Sequence, residues 1–174
     1  MKKEKIFAAS MLLIATVAFS SCKKEPVDNE KPVIQLVAPE EDEVIHPGSE
    51  VHFEVDLSDN VALESYKVNI HGAFDGHHHD HAAAALRAEG DSIIFEKTWL
   101  ESDFIRAGET AIDGKKSVHI HHHLIKIPET INGKPLKEGH YHFMVYCTDR
   151  ARQEAFVARE IVISSKGGSD HEHH

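Results

Sequence analysis

The sequence predicts an all-β domain, a sandwich of about seven short strands with a histidine-rich insertion after the third. Three observations carry that reading. From Pro32 onward the apolar residues recur with a period of two rather than 3.6. The alternating runs are separated by turn chemistry at Pro39, Pro47-Gly48, Asp59-Asn60 and Glu138-Gly139. With 41% hydrophobic and 28% charged residues among 174, the chain can build one core and is not of disordered composition.

The first element is an address. Lys2, Lys3 and Lys5 make a cationic flank, Ile6 to Phe19 is an apolar run, and Ser20-Ser21 precede Cys22. This is the pattern of a secretory signal peptide over 1–21, too short to span a bilayer comfortably. Phe19-Ser20-Ser21-Cys22 resembles the relaxed lipobox of Bacteroidota lipoproteins. The resemblance implies cleavage before Cys22 and lipidation of its thiol and new amino group, an outer-membrane lipoprotein held by acyl chains alone. An ordinary signal peptide with a chance cysteine is the alternative. Residues 22–31 are polar, carry Pro26, and read as a tether.

The domain is expected over 32–164, with a flexible, histidine-rich tail over 165–174. Val33-Ile34-Gln35-Leu36-Val37 is the first strand. Val51, Phe53, Val55 and Leu57 alternate with polar residues in the second, and Tyr66, Val68 and Ile70 in the third. Ile93, Phe95 and Trp99 mark the fourth. The fifth covers Val118 to Ile127; Tyr141, Phe143, Val145 and Cys147 line one face of the sixth; the seventh spans Ala155 to Ile163. Ala82 to Ala88, in the insertion, has helix propensity. Two cysteines cannot form a disulfide framework, and Cys147 reads as a small buried hydrophobe.

Seven such strands suggest an immunoglobulin-like topology. Gly139-His140-Tyr141-His142-Phe143 resembles the tyrosine corner of that fold. Together with Lys31-Pro32-Val33-Ile34, the His-rich insertion and Ile125-Lys126-Ile127-Pro128, it resembles an Ig-like, His-rich lipoprotein family of Bacteroidota, domain of unknown function 4625. The resemblance implies a fold and a surface location and supplies no activity.

Histidine is the compositional anomaly, at 16 residues. His77-His78-His79-Asp80-His81 lies in the insertion, His119, His121, His122 and His123 on the fifth strand, and His140 and His142 at the start of the sixth. His71 closes the third strand, and His46 and His52 flank the start of the second. Antiparallel connectivity brings these segments toward one end of the sandwich. On the fifth strand, Val118 and Ile120 have one parity and Ile125 and Ile127 the other, so a bulge near His122-His123 is needed for both pairs to reach the core. Residues i and i+2 on one strand face are roughly 6.5–7 Å apart, a spacing from which two imidazoles can converge on one ion.

These residues predict a nitrogen-rich metal site formed by His77, His78, His79, His81, His119, His121, His123, His140 and His142, with His71, Asp80 and His122 as further candidates. Imidazole donors select zinc, with copper and nickel as alternatives; the absence of paired cysteines rules out zinc-finger and iron–sulfur chemistry. The formal charge of −10 argues against nucleic acid as a partner. The expected function is capture, buffering or transfer of divalent metal, without catalysis. Three alternatives stay open. The histidines could be a solvated or pH-responsive surface. The domain could be an adhesion or glycan- or protein-binding module, although Trp99 and the tyrosines fall mostly in core registers. It could also be a metallohydrolase, since three histidines with an open position can activate water, but no acid–base residue is tied to a motif.

Overall fold

A computed structural model describes residues 28–74 and 92–166. The signal-peptide segment with Cys22, the insertion residues His77, His78, His79, Asp80 and His81, the alanine-rich run and the last eight residues lie outside the described residues.

The described chain is an all-β sandwich. Its strands are β1 (Val33–Ala38), β2 (Glu43–Ile45), β3 (Glu50–Ser58), β4 (Leu63–Gly72), β5 (Lys97–Leu100), β6 (Ser117–Lys126), β7 (Thr130–Ile131), β8 (Lys134–Pro135), β9 (Gly139–Asp149) and β10 (Glu154–Ile163). One sheet has the order β1-β3-β6, the other β2-β10-β9-β4-β5, and β7-β8 is a small ribbon. All seven expected strands have a counterpart. The additions are short: β2, which pairs parallel to β10, and the β7-β8 ribbon.

Alternation builds the core. Val51, Phe53, Val55 and Leu57 point inward from β3, and Tyr141, Phe143, Val145 and Cys147 from β9. The two sheets meet where the Phe53 and Phe143 rings lie 5.9 Å apart, centre to centre. Burying each such large apolar side chain contributes roughly 1.5–3 kcal/mol. Tyr141 is buried, yet its hydroxyl donates to the Lys137 carbonyl at 2.6 Å and accepts from the Phe95 amide at 3.3 Å, so its polar end is satisfied. Gly139 precedes it with φ +137°, and a side chain there would press on the Phe74 ring.

Two local expectations need correction. The fourth strand begins at Lys97; Ile93 makes an isolated bridge to Leu136, and Phe95 is buried from irregular backbone. A short helix unforeseen in the sequence, α1 (Glu101–Arg106), follows β5 directly. Asp103 starts it by accepting from the Leu100 amide at 2.8 Å, and Phe104 seals it onto the core by stacking on Tyr66 at 5.5 Å.

Strand direction places the histidines. β3 starts, β4 ends, β6 ends and β9 starts at the same end of the sandwich, so His52, His71, His121, His123, His140 and His142 share that end, as the connectivity predicts.

Candidate metal centre

The first cluster is on the outer face of the three-stranded sheet. Along β3, His52, Glu54 and Asp56 alternate with the core residues, so they point outward together. Along β6, His119 and His121 do the same, opposite Asp56 and Glu54. The register then shifts: Phe53 pairs with His122, but Val51 pairs with Ile125. The extra residue is the expected bulge. It sets His123 and Leu124 together against His52, leaves both exposed, and returns Ile125 and Ile127 to the core.

The bulge gathers three imidazoles. His123 stacks on His52 at 5.1 Å between ring centres, and His121 meets both edge-on at 5.0 and 5.7 Å. One ring nitrogen from each of His52, His121 and His123 lies within 4.8 Å of the other two. Ligands on a tetrahedral zinc are about 3.3 Å apart, so small side-chain rotations close the shell. His52 Nε2 is shielded from solvent and has no hydrogen-bond partner, a donor atom held ready. Glu54 adjoins it, with Oε2 3.6 Å from His52 Nε2 and Oε1 3.7 Å from His119 Nε2. His119 stands beside the trio, its Nδ1 2.9 Å from Asp56 Oδ1.

His122 goes the other way. Only 6% exposed, it packs against Phe53 and Phe104 at 5.0 and 4.7 Å and its Nδ1 accepts from the Leu124 amide at 3.4 Å. Burial pushes its pKa down and favours the neutral ring. As a ligand candidate it is corrected: it is a core residue facing away from the cluster.

The second cluster is on the outer face of the five-stranded sheet. His142 stands opposite His71 on β4 and Glu160 on β10. His71 Nδ1 is 2.5 Å from Asn69 Oδ1, and its Nε2 is 3.4 Å from His142 Nδ1. His140 Nδ1 lies 2.6 Å from Glu160 Oε1, and Asp42 completes a mixed nitrogen–oxygen trio with them. Asp42 is held there by its amide, which donates to the Glu160 carbonyl at 2.9 Å.

The expectation of one shared shell is therefore corrected. β6 and β9 belong to different sheets, and their outward side chains face away from each other across the core. His119, His121 and His123 cannot share an ion with His140 and His142. His52, Glu54, Asp42 and Glu160 enter the clusters without belonging to any histidine-rich motif. The signal for the first two was present in the polar alternation of β3, once β3 is paired with β6. His46 is engaged elsewhere, its Nδ1 donating to the Ser164 carbonyl at 2.7 Å.

Fold and surface together define an all-β sandwich with imidazole–carboxylate clusters on both outer faces. Residues 20–164 match the family described as Domain of unknown function (DUF4625), and the chain belongs to that family. No curated protein matches the sequence.

Proposed function

We propose that this domain binds divalent transition metal, zinc first on ligand chemistry with copper and nickel as alternatives, for capture, buffering or transfer. The observation that carries the reading is the His52–His121–His123 trio, three imidazole nitrogens within 4.8 Å of one another from two paired strands. Solvation alone gives no reason for three aromatic rings to be gathered over one bulge with a ring nitrogen left unpartnered. An N3 set leaves a position open to water or to a receiving ligand, which suits exchange of the ion. His140 with Glu160 and Asp42 offers a harder donor set on the opposite face.

The test uses full-length protein prepared without a metal-affinity column. Zinc, copper and nickel are titrated against it and against a free oligohistidine peptide. Binding at least tenfold tighter than the peptide, lost in His52→Ala/His121→Ala, supports the reading; peptide-like binding that ignores the variant refutes it. Because ligation requires neutral imidazole, affinity should fall as pH drops below about 6.

We also infer the outer-membrane lipoprotein location, supported by the Phe19-Ser20-Ser21-Cys22 sequence. Cys22→Ser should move the protein from the membrane pellet to the soluble fraction.

A second reading has one observation in its favour. Phe156, 64% exposed, packs on Tyr146 at 5.8 Å, with Lys67 over the tyrosine ring and paired to Glu154 at 3.0 Å. That aromatic and charged strip on the five-stranded sheet suits an adhesion or glycan-binding role. Binding of a glycan panel abolished by Phe156→Ala, with no metal requirement, would favour it.

A further inference from the structure

At the end of the sandwich opposite the histidines, three aspartates from three segments meet. Asp28 precedes β1, Asp59 lies in the β3–β4 turn, and Asp149 ends β9. One carboxylate oxygen from each lies within 4.8 Å of the other two. Asp149 is completely buried, and Asp28 and Asp59 are half-buried.

Local backbone accounts for only part of this arrangement. Asp59 Oδ1 accepts from the amides of Val61 and Ala62 at 2.8 and 2.6 Å. Asp149 Oδ1 accepts from Gln153 at 2.8 Å, and Asp28 Oδ1 from Glu30 at 3.1 Å. The second oxygens of Asp59 and Asp149 are both shielded from solvent and have no hydrogen-bond partner. No ion pair of the described residues involves any of the three. Among the described residues, the cations adjoining Asp149 and Asn60 in the chain or by contact are engaged elsewhere: Arg150 with Asp113 at 2.9 Å, Arg152 with Glu64 at 3.4 Å, and Lys116 with the Asn60 carbonyl at 3.0 Å.

Ionised carboxylates brought together out of water, without a counter-charge, are strongly disfavoured. Turn formation explains the Oδ1 atoms and leaves the Oδ2 atoms unexplained. A bound cation satisfies them. The donors are all oxygen, which selects a hard ion. Calcium accepts six to eight oxygens at about 2.3–2.6 Å in irregular geometry, whereas magnesium demands a near-ideal octahedron at about 2.0–2.1 Å. Three carboxylates on separate segments, spread over several ångströms, suit the larger ion.

We propose that Asp28, Asp59 and Asp149 form a calcium site that pins the segment ahead of β1 to the β3–β4 turn and the end of β9. Gln153 already prepares the contact, its side-chain amide donating to the carbonyls of Glu30 and Asp28 at 3.0 and 3.4 Å. The site fixes how the domain leaves its N-terminal segment. It does not rest on the transition-metal reading, since it shares no residue with either histidine cluster.

The test is calcium titration of the chelator-treated full-length protein, read by thermal unfolding and calorimetry, with magnesium and ionic-strength-matched sodium chloride in parallel. Calcium should raise the melting temperature saturably by several degrees, because it binds only the folded arrangement. Magnesium should act at least about tenfold more weakly. Asp149→Asn should abolish the response. Asp28→Asn, outside every strand, should weaken it about tenfold while leaving the protein folded. Hydrogen exchange at residues 28–30 should slow with calcium. His52→Ala/His140→Ala should leave all of this intact, even if it abolishes zinc binding. A folded protein with no saturable calcium response, a response unchanged in Asp28→Asn and Asp149→Asn, equal potency of magnesium, or loss of the response with the histidines would each overturn the proposal.

Discussion

Glu54 stands directly opposite His121 on the β3–β6 ladder, and its two oxygens lie 3.6 Å from His52 Nε2 and 3.7 Å from His119 Nε2. A carboxylate placed between imidazoles can orient a ligating ring through its second nitrogen, or close the shell itself. Glu54→Gln keeps the shape and removes the charge. It should lower zinc affinity of the first cluster about tenfold, without loss of thermal stability in the metal-free protein. Competition with a chromophoric chelator measures this; an unchanged affinity would leave Glu54 as a bystander.

The two outer faces should bind independently. His52→Ala/His123→Ala should remove one zinc equivalent and His140→Ala/Glu160→Ala another, with additive effects, since residues on opposite faces share no partner. Isothermal titration of these two variants and of their combination against the parent gives the stoichiometry. If the combined variant loses no more zinc than either double variant alone, or if either double variant by itself abolishes all binding, the two faces are not independent.

Glu101 gives the clearest pH dependence of stability. Nearly buried, it accepts from the Ile112 amide at 2.8 Å, and desolvation raises its pKa above the ordinary 4.5. The folded chain therefore binds more protons than the unfolded one between those two values. The stability this group contributes is fully present below 4.5 and is lost as pH rises through the folded pKa. Glu101→Gln retains an oxygen for Ile112 and removes the titration. Its melting temperature should exceed the parent's at pH 7 and converge with it below pH 4.5, by calorimetry.

Cys147 should be chemically silent in the native state. It is fully buried, and burial, reinforced by Asp59 and Asp149, pushes its thiol up to about 12. In the Cys22→Ser chain, a thiol reagent at pH 8 should give no reaction before unfolding and one equivalent after it. Rapid native labelling would show that this part of β9 opens readily.

Period and turn chemistry are encoded locally and can be read along the chain. Alternation fixed which residues of β3 and β9 face the core, because a one-residue slip would expose Phe53 or Phe143. The parity conflict on β6 required a bulge, and chain direction alone assigned the histidines to one end. Which face of which sheet each histidine occupies depends instead on how the strands pair. His121 and His142 come from similar-looking alternating runs, yet their strands join different sheets, so they point apart. His122 and His123 are sequence neighbours of the same type. The bulge sends one between Phe53 and Phe104 and the other onto His52, a partition set by packing on both sides of the sheet. His52 and Glu160 carry no motif; they become site residues only through cross-strand pairing, which joins segments far apart in the chain.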